Sequence, residues 1–177
     1  MRKKSRIAVA HGDMVPAPCT VGFAPCLPEP ERLVGLGFRY WMLGRTTGDV
    51  VCWERAWNLY SGQFGVAGAK VAVGRLSSWV SALGRASHRE IEVFPLACRS
   101  FCRDECIAVS MIAACQHHTC PAMRACAFAL ADCSLIDAVV QEAQSFADAM
   151  MSLDQVLSAQ SIVPAAAVME PAIARLQ

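Results

Sequence analysis

The sequence predicts an all-α protein, a single helical bundle of about five to six helices joined by short turns. Three observations predict it. Apolar residues recur three and four apart through most of the chain from Pro30 onward, capping residues, glycine and proline interrupt that rhythm, and no segment alternates long enough to make a confident strand. The 177 residues sit at the upper end of what one core serves. With 55% hydrophobic and 18% charged residues, either that core is large or some apolar surface meets a partner.

Residues 1–29 hold Pro16, Pro18, Pro25 and Pro28 with Cys19 and Cys26 among them, show no periodicity, and are expected to form a flexible arm. The bundle is expected over 30–158. Pro30 and Glu31 suit a first helical turn, and Leu33, Val34, Phe38, Trp41 and Met42 continue the stripe to Gly44. Thr46 to Asp49 make a turn and an N-cap, which starts a second helix over Val50–Ser61. The glycines at 62, 65 and 68 end it, and Val66–Leu83 reads as a third helix.

Glu90–Phe94 is a short alternating piece, extended or the first turn of the next element, and after Pro95 a fourth helix is expected over Leu96–Gln116. Thr119 as N-cap and Pro121 in the first turn begin a fifth helix reaching Ala131. Ser134 and Asp137 resemble a capping box at the head of the last long helix, whose stripe includes Leu135, Val139, Phe146, Met150 and Leu157. Residues 159–177, with Pro164, Pro171 and an alanine run, are expected to be a loosely held tail.

Composition narrows the function classes. Sixteen basic against fifteen acidic residues leave a formal charge of +1, too little field for general nucleic-acid binding. The longest uncharged run, Cys106–Met123, is interrupted by Gln116, His117, His118 and Pro121, so no membrane span is expected, and the apolar stretch after the basic Arg2–Arg6 run is too short for a secretory signal. The expectation is a cytoplasmic, bacterial-looking protein with ten cysteines that are free thiols, metal ligands or redox sites rather than a disulfide framework. No Ser/His/Asp order, nucleophile elbow, di-iron motif or phosphate loop is present, and no enzyme is expected.

The chemistry concentrates between Cys98 and Cys133. Cys98, Cys102 and Cys106 recur every four residues, and on one continuous helix they would form a thiol ladder on a single face. Helix geometry keeps such thiols from disulfide bonding but lets two reach one ion, and soft thiolates suit Cu(I). Cys126 and Cys133, seven apart, add a second face. In these CxxxC pairs the chain resembles the bacterial copper storage proteins, four-helix bundles whose cores are lined by cysteine, and that resemblance implies copper bound inside the bundle.

Zinc is the other candidate, held by Cys115, His117, His118 and Cys120 at the helix-to-helix turn with Cys106 or Cys126 completing the set. The ladder and the corner would be separate sites, because His117 lies about 16 Å beyond Cys106 along a continuous helix. Arg99, Arg103 and Asp104 read as a solvated face, whereas Glu105 lies angularly beside the ladder, where its burial would be informative.

The competing reading is a helical interaction or regulatory protein without metal. In it, the cysteines pack as small hydrophobes or respond to redox state. The aromatic stripe of Trp53, Trp57 and Tyr60 with Trp41 is either core or a surface for a second copy or a protein partner.

Overall fold

The computed structural model describes residues 27–168, which hold helices α1 to α5, one short 3-10 turn and a helical turn at 165–168, packed into a bundle. Most of the arm expected at the N-terminus, and residues 169–177 of the tail, lie outside the described residues. No helix among those described is long and apolar enough to cross a membrane.

Helix α1 (Glu29–Thr47) starts after Pro28, carries Pro30 in its first turn with Glu29 and Glu31, and ends in left-handed Gly48. Helix α2 (Val50–Ala86) follows at once, with the Asp49 carboxylate accepting the Val51 N–H at 2.9 Å. A break was expected across the glycines at 62, 65 and 68, and it falls at Gly65 alone, at φ 68° and ψ −179°, a region open essentially only to glycine. The chain reverses there. Trp53 packs on Gly44 of α1, and Ser81 receives the adjacent Arg45 guanidinium at 3.1 Å, yet along a straight helix those two positions would lie about 42 Å apart. The two arms of α2 therefore run antiparallel, and both lie against α1.

Close approach holds this seam together. Gly37 leaves room for the Tyr60 hydroxyl, which donates to the Leu33 carbonyl at 3.1 Å, and Gly44 leaves room for the Trp53 indole. Further in, Phe38 meets Trp79 at 5.4 Å between ring centroids and Trp79 stacks on Phe146 at 5.7 Å, joining α1, α2 and the last helix in one apolar core.

Helix α3 (Arg103–Gln116) is the central rod, with every residue from Asp104 to Gln116 buried against α1, α4 (Cys120–Ala131) and α5 (Asp137–Ser152). A helix enclosed on all sides needs no polar stripe, which is why its sequence shows so little amphipathic contrast. It begins seven residues later than expected. Cys102 is its N-cap, in extended geometry, and Glu105 closes the cap by accepting the Cys102 N–H at 2.8 Å. The segment from Leu96 to Cys102 stays out of the helix because its carbonyls have another donor: Arg39 of α1 gives Nη1 to Cys98 O and Nη2 to Ser100 O, both at 2.5 Å.

Helix α4 begins within a residue of its expected start, beside Thr119 and Pro121. The capping box expected for α5 does not form: Ile136 is the N-cap, Asp137 pairs with Arg124 at the surface, and Leu135 stands 80% exposed. The tail, expected to be loosely held, is docked as far as Val168. Leu157, Ser161 and Val168 are buried, and the Glu31 carboxylate accepts from Ser158 N at 2.7 Å and Ser161 Oγ at 2.9 Å.

Candidate functional site

The thiol ladder is not a helical ladder. Cys98 lies half-buried in the loop, Cys102 caps α3, and only Cys106 is inside the helix. Cys102 Sγ donates to the Glu92 carbonyl at 3.1 Å, and Cys106 Sγ lies 3.9 Å from Phe101 O. Burial, reinforced by the Glu105 charge, raises the Cys102 pKa, so the guanidiniums of Arg99 and Arg103 do not produce a reactive thiolate there.

Glu105, expected angularly beside the ladder, is buried by an ion pair rather than by the thiols. The carboxylate is fully buried because Arg39, equally buried, binds it in a fork at 2.6 and 2.9 Å. The Phe94 N–H adds a contact at 3.2 Å, and Arg39 also lies 4.9 Å from the Phe101 ring centroid. Asp104, expected on a solvated face, is buried too, receiving Arg89 at 2.7 Å and the Glu92 N–H at 2.8 Å. These two ion pairs fix the 87–102 segment to the bundle.

The corner also disperses. His117 is exposed with Nε2 2.8 Å from Leu157 O, His118 takes a left-handed turn at φ 53°, and Cys120 is exposed at the first residue of α4. Cys115 points inward toward Cys126, near enough for one thiol's charge to disfavour the other's. Burial first, and that neighbour second, push Cys115 up to about 12, and burial pushes Cys126 to about 11. Cys126 shares a hydrogen bond of 3.5 Å with Ser110 Oγ, and Cys133 accepts the Leu135 N–H at 3.3 Å. The helix carrying Cys126 does face α3, but it meets Ser110 and Cys115 rather than the expected ladder. Among the described residues no three His, Cys, Asp or Glu side chains are grouped to hold a metal ion.

A second candidate is built from the aromatic stripe. Tyr60 leaves it, being fully buried against α1. Trp41, Trp53 and Trp57 are half-buried and line a concavity of about 490 Å³ with Glu54, Asn58 and Val73. Trp41 and Trp53 meet at 6.4 Å between centroids. On the first arm of α2, Val50 precedes Trp53 and Trp57 by three and seven residues, and on the second arm Val66 precedes Val73 by seven, so each valine shares a helical face with a groove residue. Val50 is 58% and Val66 61% exposed. Sequence periodicity found the tryptophans and put Val73 on the apolar side of the next helix, while the groove they form together was invisible without the reversal at Gly65.

Comparison of the chain with protein-family models, with curated proteins and with solved structures finds no match.

Proposed function

We propose that this chain is a non-catalytic helical binding protein whose tryptophan groove takes an apolar segment of a protein partner. The observation that carries the reading is the set of three half-exposed tryptophans around one concavity. Among the described residues, exposed Val50 and Val66 stand on the same helical faces as Trp53 and Val73, which adds apolar surface to the two arms of α2 that line the groove. Tryptophan on a rigid helix offers large contact area at little entropic cost, and Glu54 and Asn58 supply a polar rim. A copper or zinc role has weaker support, since among the described residues no three ligand side chains are grouped and burial disfavours the thiolate form of Cys115 and Cys126.

The test is site-specific photo-crosslinking in cells. A benzophenone side chain at Glu54, on the groove rim, is expected to give a discrete protein adduct that Trp57→Ala abolishes, whereas the same probe at exposed Gln141 on α5 gives none. Equal adducts from both positions, or none from Glu54 in the folded protein, would sink the reading.

A further inference from the structure

The segment from Leu157 to Val168 is bound to the bundle as a peptide ligand is bound to a receptor. Its main chain is read by side chains of α1 and α3 and of the turn after α3: Gln116 Oε1 accepts Leu157 N at 2.8 Å, His117 Nε2 lies 2.8 Å from Leu157 O, Ser110 Oγ accepts Val163 N at 2.9 Å, and Arg103 Nη2 donates to Val168 O at 3.0 Å. Leu157 and Val168 are its fully buried apolar anchors, while Ser158, Ala159, Gln160 and Pro164 between them are exposed. The approach runs through Asp154 at φ 59° and Val156, 58% exposed.

Two features favour departure of this segment as a unit. Few of its apolar groups are buried and much of it faces water, the signature of a low-stability cooperative unit. Glu31, 1% exposed, has no cation within ion-pair distance among the described residues. Its carboxylate is met by Ser158 N and Ser161 Oγ of the segment itself, contacts that water can replace when the segment leaves.

Beneath the segment lies a built-in reporter. Ser110 Oγ bonds both Val163 N above and Cys126 Sγ below, which places the strap backbone within two hydrogen-bond lengths of a thiol that is otherwise fully enclosed. We infer that residues 157–168 are a releasable strap, occupying the α1–α3 seam as an intramolecular ligand and controlling access to Ser110 and Cys126 while the rest of the bundle stays folded.

The experiment is iodoacetamide labelling of the full-length chain, with each cysteine read by peptide mass. Alkylation forms an S–C bond, expels iodide and releases the thiol proton to the buffer. Leu157→Ala, which removes one anchor, is expected to raise the Cys126 rate at least tenfold. Cys52, 97% buried on α2, serves as the bundle control and should be unchanged. Parallel acceleration of Cys126 and Cys52 would overturn the strap, because the thiol would then be reached only through unfolding. Should Leu157→Ala fail to fold, the unsubstituted protein decides in sub-denaturing urea. A Cys126 rate that rises less steeply than that of Cys52 supports release, and equal slopes overturn it.

Discussion

Helix α1 is held on its two flanks by different physics. Against α2 the contact is steric: Gly37 and Gly44 are spaces into which Tyr60 and Trp53 fit, and the indole N–H of Trp53, packed on Gly44, is buried without a hydrogen-bond partner. Against α3 the contact is ionic. Arg39 and Glu105 are both at 0% side-chain exposure and satisfy each other, an N-cap and two loop carbonyls. One seam is specified by side chains that are missing, the other by charges that must both be present, so they should fail in different ways.

The largest effect is expected on the ionic flank. Arg39→Met strands a buried carboxylate and should cost about 3–5 kcal/mol of unfolding free energy in urea. Adding Glu105→Gln, which removes the stranded charge and keeps an acceptor for one of the Cys102 and Phe94 N–H groups, should recover part of that. A double variant as unstable as the single one would show that the stranded charge is not the cause.

On the steric flank, Gly37→Ala puts a methyl group where the Tyr60 hydroxyl sits and should cost about 1–3 kcal/mol. Tyr60→Phe in the same chain should be less than additive with it, because the obstructing atom is gone. Strict additivity in a double-mutant cycle would place the strain elsewhere.

Gly65→Ala probes the reversal that brings the second arm of α2, with Trp79 and Ser81, back against α1. With nothing within 4 Å of the added methyl, the whole cost, about 1–3 kcal/mol, is backbone strain. Gly62→Ala, equally open but without a positive φ, should stabilise by up to about 1 kcal/mol. Equal thermal shifts for the two variants would remove the distinction.

An effect confined to alkaline pH is a slope from the buried thiols of α3 and α4. Cys115 and Cys126 ionise later in the folded chain than in the unfolded one, so above the ordinary thiol range the folded state binds more protons and stability falls as pH rises. Between about pH 9 and 11 the fall should be roughly 1 kcal/mol per pH unit per thiol, and Cys126→Ala should flatten it by its share. An unchanged slope in that variant would mean that the Cys126 thiol does not carry this linkage.

The two flanks also differ in how legible they were. Helices α1, α4 and the arms of α2 are announced by proline, cap residues and apolar spacing, all local signals, and their boundaries came within a few residues. The start of α3 was misplaced because it is decided by Arg39, more than sixty residues away, and no local pattern says that a carbonyl at position 98 will face a guanidinium rather than a helical N–H. The same distance hid the meaning of Glu105, and with it the thiol ladder dissolved. On the other side the tryptophans were visible as a stripe, but a concave groove needs two antiparallel arms, and that depends on a single backbone torsion at Gly65.

That torsion also shapes the order in which the chain organises. By folding α2 back on itself, it lets residues 29–86 close on one another across moderate spans, such as the 36 residues from Arg45 to Ser81. The strap is the opposite case, since Ser158 reaches Glu31 across 127 residues. Formation should therefore begin in the α1–α2 half and end with the strap. Ser161→Ala is then expected to speed unfolding while leaving the folding rate unchanged in stopped-flow kinetics, and a slowed folding limb would place the strap in the nucleus instead.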